Sequence, residues 1–158
     1  MKRFLLIAVP CFLAGAVFGA AFWYLASPLW IDRTVSETLV TASTSQILAS
    51  GSFKDADFAH KGAGQAALVQ LETGPELQLS NFNVTNGPDL KVWLSTHKDP
   101  TSATDVLDNE WLSLGPLKGN IGNQSYSIPA DTDLTKYKSV VIWCEQFSVL
   151  FSPASLSN

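Results

Sequence analysis

The sequence predicts an all-β fold: an antiparallel β-sandwich or barrel of about seven or eight short strands, behind one N-terminal transmembrane helix. Three observations carry that expectation. The chain opens on a long uncharged apolar run, period-2 alternation begins beyond Gly51, and Gly, Pro and Asn clusters divide the alternating segments.

The opening comes first. Lys2 and Arg3 precede a stretch from Phe4 to Ile31 without a charged side chain. A helix crosses the hydrocarbon core with about 20 apolar residues, and Phe4 to Ala26 supplies them. Basic residues on the near side place that end in the cytoplasm and everything after the helix outside it. Trp23, Tyr24 and Trp30 fall where an interfacial aromatic belt is expected, and Pro10 is of the kind that membrane helices tolerate. The rival reading is a cleaved secretory signal ending at Gly19-Ala20-Ala21, which would leave Phe-Trp-Tyr-Leu at the new N-terminus. The length of the run favours the uncleaved anchor, residues 1–31. Pro10 stands where a lipobox would need another residue, so Cys11 reads as a small apolar helix residue. Cys11, Gly15 and Gly19 recur every fourth position, a small-residue face of the kind that lets two helices approach as a homodimer.

Residues 32–50 are rich in Thr, Ser and Ala with a sparse apolar set, Val35, Leu39, Val40 and Ile47, and read as a stalk. The β domain is residues 51–158. Ala67, Val69 and Leu71 alternate with Leu68, Gln70 and Glu72; Thr73-Gly74-Pro75 breaks the chain. Leu77 and Leu79 keep odd parity while Phe82 and Val84 are even, so a bulge or bend is expected at Ser80-Asn81. Asn86-Gly87-Pro88-Asp89 is a turn, and Leu90, Val92 and Leu94 alternate with Lys91, Trp93 and Ser95. His97 to Asn109 is polar and reads as a loop. Trp111 to Leu117, Tyr126 to Ile128, Lys138 to Glu145 and Phe147 to Ser152 complete the strands.

Charge excludes one class of function. The chain holds 14 acidic against 10 basic residues and no basic run. Nucleic acid is bound by neutralising phosphates, so it is not an expected partner. No H-E-x-x-H, C-x-x-C, G-x-S-x-G or phosphate-cradling loop appears, and a stand-alone enzyme is not indicated. Asp55 and Asp57 read as a solvated acidic face. Cys144 is the only cysteine beyond the anchor. An unpaired cysteine in an exported domain points to a reactive thiol or a metal ligand, whereas its parity with Val140 and Ile142 points to a buried packing residue. His60 and His97, the only histidines, would complete a Cys/His set for copper or another soft metal if they met Cys144. No C-x-x-C-H haem attachment motif is present. Trp93 and Trp111 are candidates for an exposed aromatic surface. Asn83-Val-Thr85 and Asn123-Gln-Ser125 are sequons, relevant only at a eukaryotic cell surface.

Longer strings then resemble a known family. Gly51-Ser-Phe53, His60-Lys-Gly-Ala-Gly64, Leu79-Ser-Asn-Phe82 and Asn86-Gly-Pro-Asp-Leu-Lys-Val-Trp-Leu94 are similar to the DM-thirteen domain. Leu114-Gly-Pro-Leu-Lys-Gly-Asn120, Gly122-Asn-Gln-Ser-Tyr126, Val141-Ile-Trp-Cys-Glu-Gln-Phe147 and Phe151-Ser-Pro-Ala154 continue the likeness in order. The resemblance implies a small extracytoplasmic β module with a role in electron transfer, centred on the family's characteristic cysteine, here Cys144. It leaves two hypotheses: a membrane-tethered redox or metal-binding module that meets a redox partner protein, and a non-catalytic interaction or adhesion domain with a structural cysteine.

Overall fold

The computed structural model describes residues 2–27, 30–40 and 46–157. Helix α1, Lys2–Ala26, runs through Pro10 without interruption. Its Leu6–Tyr24 window has a mean hydropathy of 2.1 and no residue buried against the protein, so it is long and apolar enough to cross a membrane. At its end the Trp23 and Trp30 rings meet edge to face at 6.1 Å.

The remainder is strands in two sheets. In chain order these are β1 (Thr34–Ser36), β2 (Gln46–Ser52), β3 (Gly62–Leu71), β4 (Gly74–Val84), β5 (Leu90–Ser95), then helix α2 (Ala103–Leu107). They are followed by β6 (Trp111–Pro116), β7 (Ile121–Ser127), β8 (Ser139–Cys144) and β9 (Val149–Ser155). The five-stranded sheet has the order β1-β7-β4-β3-β2, the four-stranded sheet β6-β5-β8-β9. All pairs are antiparallel except β1 with β7. Bridges from Ser50 to Ser157 and from Phe53 to Ala154 join the sheets along one side.

The core lies between the sheets. Leu68, Leu77, Leu79, Phe82 and Val84 meet Leu90, Val92, Leu94, Val140 and Ile142 there. On β3 Ala66, Leu68 and Val69 are buried, whereas Ala67 and Leu71 are only partly so; Leu68 stands opposite Leu77 and Ala66 opposite Leu79 between the sheets. The parity change on β4 is a bulge. Asn81 takes φ 49° and Gly64 across from it φ 108°, and a Cβ on Gly64 would lie 2.6 Å from the Asn81 carbonyl oxygen. This is why that place in β3 takes glycine.

Two expectations are corrected. The described parts of the expected stalk, residues 32–40 and 46–50, are joined to the domain: β1 pairs with β7, and β2 forms an edge of the five-stranded sheet. The binding groups lie far along the chain. Asn120 donates from Nδ2 to Asp32 at 2.8 Å and accepts from the Arg33 N–H at 2.6 Å. The Glu37 carboxylate accepts from Lys118 Nζ at 2.8 Å and from the Ser125 N–H at 2.8 Å. Gly122 has no side chain, and a Cβ there would strike the Val35 carbonyl. The segment from His97 to Asn109 is not all loop, because Ser102 and Asp105 close a capping box that starts α2.

Candidate functional site

Cys144 ends β8, between Leu90 of β5 and Val149 of β9. Every residue of β8 is buried, since the strand is central in its sheet and covered on both faces. The thiol points between the sheets with Val140 and Ile142 and is 0% exposed. A side chain so placed behaves as a small hydrophobe, and no attacking thiol or disulfide reaches it from water.

The two histidines lie elsewhere. His60 belongs to the loop between β2 and β3, where the Asp57 carboxylate receives its backbone N–H at 2.8 Å and stands 2.7 Å from its Nδ1. Those bonds, the His60 ring first, hold the Asp57 carboxyl down at about 2. The imidazole lies against Phe151, ring centres 4.3 Å apart. Phe151 belongs to the same core cluster as Cys144, so His60 caps that cluster from outside.

His97 follows β5 at the other end. Its carbonyl accepts from Ser139 Oγ at 2.7 Å, and its Nδ1 accepts from the Asp99 N–H at 3.2 Å. Ser139 and Cys144 are opposite ends of β8, on the order of 16 Å apart at the rise of a strand. The expected Cys144, His60 and His97 set therefore does not assemble. Among the described residues no group of three His, Cys, Asp or Glu side chains is placed to hold a metal ion. The donors present do not fit copper or another soft metal, and no step is derived through one.

The acids of the same loop are also separately engaged. Asp55 accepts from Lys61 Nζ at 2.9 Å and from the Gly62 N–H at 3.0 Å, which lowers its pKa. Asp55 and Asp57 thus serve loop geometry and do not share a proton.

The tryptophans divide differently from the sequence expectation. Trp111 is 41% exposed, but Trp93 is 2% exposed and part of a second apolar cluster on the outer face of the four-stranded sheet. That cluster also holds Val106 of α2, Val141, Trp143 and Leu150. The opposite parity of Trp93 to Val92 and Leu94 was the available signal, since a sheet covered on both faces buries both parities. Beside Trp111, the β domain exposes Phe58, at 92%, and Phe147, at 62%.

The family model described as Electron transfer DM13 matches residues 52–156, which include β3 to β9, Cys144 and all three of these sheet tryptophans. The chain belongs to the DM13 family. No curated protein and no solved structure matches it. In this DM13 domain the end of β8 that carries Cys144 lies towards the residues that follow α1. Its cross-strand neighbour Leu90 lines a cleft of about 460 Å³ together with Ile31, Asp32, Arg33, Asn86 and Asn120. Cys144 is thus enclosed by packing and lies one side chain beneath a cleft at the end of the domain next to α1.

Proposed function

We propose that this protein is a membrane-anchored, extracytoplasmic electron-transfer module in which Cys144 is the redox group. The observation that carries the reading is the match to the electron-transfer family over the domain that contains Cys144. The basic pair Lys2-Arg3 before the apolar helix supports a single pass with the N-terminus in the cytoplasm and the β domain outside. In that compartment a redox partner protein meets the domain at its surface, and the anchor concentrates both at the membrane. The small-residue face of Cys11, Gly15 and Gly19 supports a homodimer.

A second reading has its own observation. The full burial of Cys144 beside Val140 and Ile142 favours a structural cysteine in an interaction domain. Thiol labelling does not separate the two, because burial protects the sulfur in both. The reduction potential does. Voltammetry of the full chain and of Cys144→Ala, with copper, zinc and iron content measured alongside, tests the proposal. A redox wave present in the parent and lost in a folded Cys144→Ala supports it. Identical voltammograms leave the interaction domain.

A further inference from the structure

A buried thiol exchanges electrons only through the protein, and the outer face of the four-stranded sheet holds side chains suited to carry them. Trp111 stands opposite Ser95, Trp93 opposite Val141, and Trp143 opposite Lys91, so the indoles lie on one diagonal across β6, β5 and β8. Trp93 stacks on Trp111 with ring centres 4.0 Å apart and planes 7° from parallel. On its other side Trp93 meets Trp143 at 5.2 Å and 26°. The line begins in solvent at Trp111 and ends at Trp143, 1% exposed and bonded through one peptide unit to Cys144.

We propose that Trp111, Trp93 and Trp143 form a one-electron relay between the surface and Cys144. This rests on the reading of Cys144 as the redox group. The partner is a high-potential one-electron oxidant seated at Trp111. The oxidant takes one electron from Trp111, Trp93 refills it, Trp143 refills Trp93, and the Cys144 thiol refills Trp143. The S–H bond of Cys144 breaks, sulfur becomes a thiyl radical, and its proton leaves to water as the last residue of β8 opens at the turn that begins with exposed Glu145. The oxidant ends reduced by one electron and each indole ends unchanged.

Indole is among the most readily oxidised side chains, and face contact between π systems gives the electronic overlap that hopping needs. The Trp93 Nε1 proton supplies a further reason. It is buried and has no hydrogen-bond partner among the described residues. An oxidised Trp93 therefore has no acceptor for its proton and stays a radical cation, which passes the hole on instead of trapping it.

The test uses the full chain in detergent, with photogenerated tris(bipyridine)ruthenium(III) as the oxidant. Freeze-quenched electron paramagnetic resonance, which needs no access to the sulfur, reads the Cys144 thiyl radical as the signal absent from Cys144→Ala, and peptide maps report oxidation of Trp143. The relay predicts a Cys144 thiyl signal whose rate of formation falls about tenfold or more in Trp111→Phe and in Trp93→Phe, a change equivalent to ~1.4 kcal/mol of barrier. Trp111 is at the surface, so Trp111→Phe keeps the test open if Trp93→Phe does not fold. Oxidation of buried Trp143 that depends on Trp111, without a Cys144 thiyl signal, supports the relay and removes Cys144 as its end point. Equal Cys144 thiyl signal in parent and phenylalanine variants overturns the relay and leaves the redox cysteine standing. Trp143 oxidation indifferent to Trp111, or no oxidation of either interior residue, also overturns it.

Discussion

The Cys144 sulfur has no exposed surface and no hydrogen-bond partner among the described residues, so its two smallest replacements ask different questions. Cys144→Ala removes one atom from an apolar site and is expected to cost about 1–2 kcal/mol. Cys144→Ser places a hydroxyl in the same dry space and is expected to cost a further ~1–3 kcal/mol for the unpaired group. Urea denaturation of both variants measures the difference, and equal midpoints would reveal an acceptor near the hydroxyl. The burial was legible in the shared parity of Val140, Ile142 and Cys144. The positions of His60 and His97 were not, because each sits in a loop whose path depends on partners across the fold. The folded pKa of Asp57, about 2, lies below the ordinary 3.8, so its contribution to the loop is complete above 3.8 and is lost as pH falls towards 2. His60→Ala removes the largest cause and should bring the Asp57 carboxyl up towards 3.8 in a carbon-13 titration, while an unmoved value would assign the shift to the backbone N–H bonds alone.

At the scale of elements, the alternating strands were readable and the added ones were not. Strands β4, β5, β6, β8 and β9 were marked by parity and turn residues, β7 only at its Tyr126-Ser127 end, and even the bulge at Asn81 announced itself in the change of phase between Leu79 and Phe82. Strand β1 carries no such mark. It is short, exposed on both sides of Val35, and held by Asn120, Lys118 and Ser125, none of which is near it in sequence. Helix α2 did leave a signal in Ser102 and Asp105, a capping pair at the correct spacing, inside a segment whose polarity and Pro100 read as loop. The strap from Asp32 to Glu37 gives the element-scale prediction. Lys118 first, and the Ser125 hydrogen bonds after it, hold the Glu37 carboxyl below its ordinary 4.5. With a lowered folded pKa, the stabilisation is present above about 4.5 and fades as pH falls through the lower folded value. Glu37→Gln keeps the shape and removes the charge. Because the pair is partly in solvent, the expected loss is no more than about 1 kcal/mol. Amide hydrogen exchange should show it as faster exchange confined to β1 and its β7 partners. Unchanged exchange there would mean that the backbone ladder of β1 suffices.

For the whole molecule, the strap decides how the domain is carried. The apolar helix ends at Ala26 and Asp32 is already bonded to Asn86 and Asn120, so only a few residues of chain separate the helix from the β domain. If the helices of two copies associate, that contact also sets the spacing of their two domains. Along Leu6–Tyr24 no residue is buried by the rest of the chain, and ideal Cβ atoms on Gly15 and Gly19 would meet nothing within 4 Å. That face is free for a second copy, and close packing of small residues is what drives such pairs in lipid. Cys11 lies on the same face and is an exposed free thiol. If two helices pack there, Cys11 of each comes near its counterpart and mild oxidation in membranes should give a disulfide-linked dimer on a non-reducing gel. Gly15→Ile puts a branched side chain into the contact and should reduce both that dimer and the signal in a membrane two-hybrid assay. Leu13→Ile, away from the small-residue face, should leave both unchanged. A Gly15→Ile chain that crosslinks as well as the parent would show that these small residues do not hold the helices together.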